Sequence, residues 1–206
     1  MKRLVNFILL LLCFSIGHAQ DFDNQITKGS VLQYKINEGS KEYNYTVTIL
    51  KKADTTFSFK WITSERKPRK GQVNSNPVFF DLMARELLVK NFKTGTETLK
   101  SPQVRVFAPA YLKDMVGMAM MDPSKKQFDF AINNKAEKVR SNYPPVGPGK
   151  FLFNGKEVSG FSQEFVNATN DIYFSFTRCG TDGIGLLSFY KDNNFRMELV
   201  SIKLGE

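Results

Sequence analysis

The chain has 206 residues with 29 Lys and Arg against 20 Asp and Glu, a net charge of +9, and it carries one histidine, two cysteines and 19 phenylalanines. His18 and Cys13 both fall in an N-terminal segment that reads as a removable export signal, which leaves the rest without histidine and with Cys179 as its one cysteine. That inventory excludes Ser-His-Asp and Cys-His catalysis, histidine-based zinc or copper sites, haem ligation by histidine and an intramolecular disulfide.

Lys2 and Arg3 precede an apolar block over residues 7–14, and Gly17 and Ala19 stand as small residues before Gln20. This is the layout of a secretory signal, with cleavage expected before Gln20 and a single β-rich domain over residues 20–206. The apolar block is too short to span a membrane, which takes about 20 residues, so the chain is not expected to be transmembrane. Acylation at Cys13 is disfavoured because Leu10, Leu11 and Leu12 precede it. Export to the periplasm or medium of a Gram-negative bacterium is the expected location, since a secreted chain with one unpaired cysteine must be stabilised by its core. Asn44-Tyr45-Thr46 and Asn167-Ala168-Thr169 are glycosylation sequons that matter only in a glycosylating host.

Strand alternation dominates the chain after this segment. Leu32, Tyr34 and Ile36 form the inward set of a first strand. After Asn37-Glu38-Gly39-Ser40, residues 41–51 put Tyr43, Tyr45, Val47 and Ile49 on one face, and residues 56–63 do the same with Phe57, Phe59, Trp61 and Thr63. Short connections make these an antiparallel meander. Asn76-Pro77 opens a short expected helix through residue 84, and residues 86–92 and 96–100 read as a hairpin closed by Lys93-Thr94-Gly95. Pro109 followed by Tyr111, Leu112, Met115, Val116 and Ala119 predicts a helix over 109–121. Residues 126–133 return to strand, 143–149 form a Pro- and Gly-rich loop, and strands are expected over 156–166, 172–178, 184–190 and 195–204. In the last of these, Met197, Leu199 and Ser201 alternate with Glu198, Val200 and Ile202 less cleanly. The expected fold is mainly β: a curved antiparallel sheet of roughly nine or ten strands, forming an open half-barrel or sandwich with one or two helices packed on it.

The segment Gly29-Ser30-Val31-Leu32-Gln33-Tyr34-Lys35-Ile36, the two long strands after it, Gly71-Gln72-Val73, Gly185-Leu186-Leu187 and Phe195-Arg196-Met197-Glu198-Leu199 carry a resemblance. In arrangement the chain resembles uncharacterised exported β-rich proteins of Gram-negative bacteria whose sheets curl into an open half-barrel similar to periplasmic lipoprotein carriers. The resemblance implies a helix across a concave face able to hold an acyl chain, and it carries no catalytic residue to place here.

The candidate ligand-lining residues are Tyr45, Phe59 and Trp61 on the paired strands, with Met115, Met118 and Met121 from the Met-rich helix. Aromatics offer apolar area and methionine offers adaptable packing. Both sets also suit a plain core, and for the methionines core packing is the favoured reading. The run Arg66-Lys67-Pro68-Arg69-Lys70, with Lys51-Lys52 and Lys125-Lys126, presents a basic surface suited to anionic lipid headgroups or acidic glycans, or else a solvated turn. Nucleic acid is not an expected partner, no cofactor or metal is called for, and carboxylates such as Asp129, Glu157, Glu164, Asp171, Asp182 and Asp192 stand singly. The function read from these features is non-enzymatic binding of an apolar or amphiphilic, lipid-like ligand in the concavity. A structural or adhesive module binding protein or glycan through its surface is the alternative.

Overall fold

A computed structural model describes residues 26–53, 56–64, 85–90, 103–104, 106, 112, 115, 121–122, 127–142, 149–178 and 185–206. Among the described residues twelve strands join one mixed sheet that is not closed. They are β1 (Val31–Glu38), β2 (Lys41–Ala53), β3 (Thr56–Thr63), β4 (Glu86–Leu87), β5 (Gln103–Val104) and β6 (Gln127–Ile132), then β7 (Lys135–Asn142), β8 (Gly149–Phe153), β9 (Lys156–Asn167), β10 (Tyr173–Arg178), β11 (Leu186–Lys191) and β12 (Phe195–Lys203). The spatial order is β3-β2-β1-β12-β11-β10-β9-β7-β6-β4-β5, with β8 off this path and paired to both β9 and β12.

The first meander forms as its alternation requires. Leu32, Tyr34 and Ile36 are buried, as are Tyr45, Val47 and Ile49 on β2, and Tyr34 pairs Tyr45 while Val47 pairs Trp61. Burying side chains of this kind contributes roughly 1.5–3 kcal/mol each, which is what holds a sheet face against solvent. The hairpin turns supply the rest of the local logic. Asn133 and Asn134, at φ 53° and 67°, make the two-residue β6–β7 turn, and Asn154 and Gly155, at 47° and 81°, make the β8–β9 turn. Two successive left-handed residues match the twist of paired strands, and Asn and Gly reach that conformation at least cost.

Three expectations are corrected. The sheet is mixed and not purely antiparallel, because β4 runs parallel to β5 and β6, and β8 runs parallel to β12. Alternation reports which face a residue takes and is silent on strand direction. There is one sheet where a sandwich would need two. The one or two helices are not borne out: no helix is delimited among the described residues, of which Leu112, Met115 and Met121 have helical backbone. Leu112 is buried and Met115 packs against the core, yet Met121 is 88% exposed, so the apolar stripe does not reach the end of the expected segment. The short helix expected through residue 84 and the strand over 96–100 lie outside the described residues. So does most of the loop over 143–149, though Gly149 opens β8. No described helix is long and apolar enough to cross a membrane.

Contacts between distant strands set the shape. The backbone N–H of Leu187 on β11 donates to the carbonyl of Val106, just past β5, at 2.8 Å. In a flat sheet the six spacings from β11 to β5 would separate them by roughly 29 Å, so the sheet bends strongly between them. Nearby, the Asn133 amide donates to the Tyr190 hydroxyl at 3.2 Å, and that hydroxyl donates to Asp192 at 2.9 Å. Lys90 is ion-paired with Asp192 and sits 5.3 Å from the Phe195 ring centroid. The core on the inner face centres on aromatic rings, with Phe174 stacked between Phe130 and Phe165 at 6.1 and 5.2 Å.

Candidate functional site

The expected ligand-lining aromatics are brought together, as core. Tyr45, Phe59 and Trp61 share one face of β2 and β3 at 0, 0 and 4% exposure, and Phe59 and Trp61 lie 5.9 Å apart between ring centroids. Met115 is half-buried against that same core while Met121 points into solvent, so the structure does not unite these two. Met118, Arg66, Lys67, Arg69, Lys70 and Cys179 lie outside the described residues.

An open cleft lies elsewhere, where the sheet forks. β12 is paired to β11 through Arg196, Met197 and Glu198, then to β8 through Ser201 and Ile202, so Leu199 and Val200 fall between the two partners. β9 likewise changes partner, from β8 up to Gly160 to β10 from Phe161 onward. The space at this fork is about 450 Å³, within the usual range for small-ligand sites. Leu152, Val200 and Phe189 give it an apolar wall, Ser162, Ser175 and Ser188 a hydroxyl floor, and Lys150, Glu157 and Glu198 a charged rim.

Two β-bulges aim residues into it. Ser175 pairs Phe189 while Phe176 pairs Leu187, which makes Ser188 the extra residue of β11. Gln33 pairs Ser201 while Tyr34 pairs Leu199, which makes Val200 the extra residue of β12. A bulge inserts one residue, turns the strand and re-aims the side chains around it. Leu152 and Val200, each 42% exposed, are the two large hydrophobic strand residues that remain open to solvent among those described. The serines are held by their neighbours: Ser162 Oγ bonds Thr177 Oγ1 at 2.9 Å, Ser175 Oγ bonds Ser188 Oγ at 2.9 Å, and Ser188 Oγ donates to the Ser175 carbonyl at 3.1 Å. On the rim, Lys150 pairs Glu157 at 3.0 Å and Arg196 pairs Glu198. Ser175 and Ser188 thus bond each other and the Ser175 carbonyl, an arrangement suited to binding.

A second polar cluster is structural. Asn167 is 1% exposed; its two Nδ2 protons are shared among Glu137 at 3.2 Å, Thr169 at 2.9 Å and Asp171 at 2.6 Å, and its Oδ1 accepts from the backbone N–H of Asp171 and Ile172. The amide of the second sequon is therefore consumed inside the fold, whereas Asn44 of the first is exposed on β2. The Thr169 hydroxyl, then the Asn167 amide, hold the Asp171 carboxyl below its ordinary 3.8. A lowered folded value stabilises above the unfolded value and is lost as pH falls through the folded one. Asp171→Asn is thus expected to lower the unfolding temperature near pH 6 but to match wild type once both carboxyl forms are protonated, well below 3.8. A gap between the two proteins that stays constant through a pH series of thermal melts contradicts this. Among the described residues no three or more Asp, Glu, His or Cys side chains gather as a metal site.

Of the cleft residues, only Glu157 stands out in the sequence, as a lone carboxylate. The signal that was present is the broken alternation of the last strand: its phase slips at Val200, so that Leu199 and Ile202 both face inward. Comparison of the chain with protein-family models, with curated proteins and with solved structures finds no match.

Proposed function

We propose that this chain is a non-catalytic exported protein of the bacterial envelope that binds a small amphiphile, lipid-like in having an alkyl chain, on a sheet curled as an open half-barrel. The bend from β11 round to Val106 supports the half-barrel. The observation that carries the binding reading is the fork cleft, in which exposed Leu152 and Val200 and the ring of Phe189 face a floor of serine hydroxyls. An alkyl chain gains about 0.8 kcal/mol per methylene removed from water along that wall, and a polar head finds hydrogen-bonding oxygen on the floor. The buried Tyr45, Phe59 and Trp61 serve as the packed support behind the sheet and make no part of this surface.

Native mass spectrometry and titration calorimetry with octyl-chain amphiphiles test the reading. One equivalent is expected to bind wild type, and Leu152→Glu with Val200→Glu is expected to weaken it by at least tenfold, roughly the loss of two apolar contacts. Both side chains are partly exposed, so thermal unfolding should stay near that of wild type. No binding to wild type, or equal binding by the folded double variant, overturns it.

A further inference from the structure

We infer that the head group received by the fork cleft is a neutral polyol, a saccharide residue, which rests on the amphiphile reading above and adds its polar half. The supply of hydroxyl protons decides which head groups fit. Ser188 Oγ donates its one proton to the Ser175 carbonyl at 3.1 Å, which leaves the Ser175 proton to bridge to Ser188 Oγ at 2.9 Å. Both hydroxyl protons are then spent within the protein, and what these two oxygens turn to the cleft are lone pairs. The rim adds more of the same. Glu157 uses Oε1 for Lys150 and Glu198 uses Oε1 for Arg196, so in each the second oxygen takes no hydrogen bond among the described residues.

This part of the cleft accepts hydrogen bonds and has few to give. An anionic head group finds acceptors facing acceptors, and the Lys150 ammonium at the rim is already engaged by Glu157. A quaternary ammonium has no N–H to donate, and both carboxylates are already neutralised by Lys150 and Arg196. A sugar ring brings several O–H donors at fixed spacing with C–H faces between them, which suits serine and carboxylate oxygens set against Phe189 and Val200.

The test holds the alkyl chain constant. Octyl glucoside, octanoate and octyltrimethylammonium are titrated into the full chain below their aggregation thresholds. The glucoside is expected to bind at least about tenfold more tightly than either other probe, the difference one or two hydrogen bonds to charged or polar oxygen provide. Glu157→Gln with Glu198→Gln, at side chains 63% and 36% exposed, is expected to narrow that preference while the octyl chain still binds, because the amide brings donors to the rim. Octanoate or octyltrimethylammonium binding as tightly as the glucoside, with binding still lost in the Leu152 and Val200 double variant, overturns the head-group inference and leaves the amphiphile reading standing. A preference untouched by the glutamine pair overturns the role given to the carboxylates. If none of the three binds, the amphiphile reading itself falls.

Discussion

Phe174→Ala is expected to cost about 3–5 kcal/mol of folding stability, the range for emptying a packed aromatic site. Phe174 is fully buried, and its ring is met by Phe165 at 5.2 Å, Phe176 at 5.9 Å and Phe130 at 6.1 Å. Those partners come from β6, β9 and β10, each held by its own ladder, so the neighbours cannot all collapse into the space a missing ring leaves. At roughly 2–4 °C per kcal/mol for a domain of this size, the melting midpoint should fall by about 6–20 °C. Phe174→Leu keeps most of the volume and should lose less than half as much. Urea titration of the three proteins checks this, and a Phe174→Ala variant within about 1 kcal/mol of wild type would show that these rings do not form the stabilising centre of the inner face.

Asn167→Asp exchanges one atom type and is expected to be nearly as damaging, about 3–5 kcal/mol near neutral pH. The amide shares its two protons among Glu137, Thr169 and Asp171 from a site 1% exposed. A carboxylate there removes the donors and faces two like charges in a poorly hydrated pocket. Burial and like charge both raise the introduced carboxyl above its ordinary range, and a raised folded value contributes stability at low pH that is lost as pH rises. The penalty should therefore be largest at neutral pH and shrink toward about pH 4, and it should do so more steeply than for Asn167→Ala, whose own pH dependence comes only from the hydrogen bond lost to the Asp171 carboxylate. Parallel pH profiles for the Asp and Ala variants would mean that lost hydrogen bonds, and not charge, dominate at this position.

The strands were legible wherever one face is apolar and the other polar. Leu32, Tyr34 and Ile36 on β1 and Tyr45, Val47 and Ile49 on β2 all point inward as their spacing requires. β7 escaped because its sequence, KAEKVRSN, has Val139 as its one large apolar residue, and a strand held by neighbours on both sides needs no stronger pattern. β8 escaped through brevity, although Asn154-Gly155 behind it is a strong hairpin signal. The expected aromatic and methionine lining rested on residue type, and residue type does not separate a core from a pocket. Tyr45 lies on β2 between β1 and β3, and Trp61 lies on the edge strand β3; both are core because the rest of the inner face packs against them, a property of the whole arrangement.

By itself the sequence determined the chemistry open to the chain after residue 19, without histidine and with one cysteine, and which side of most strands meets water. Both come from local facts, the inventory of side chains and the two-residue period of extended backbone. The tertiary structure alone decided the cleft. Leu152 meets Ser201 across a parallel pairing, and Ser188 and Val200 enter the site as the extra residues of bulges defined against β10 and β1. A bulge exists only relative to a partner strand, and a fork only relative to several, so neither has a signature that one segment can carry.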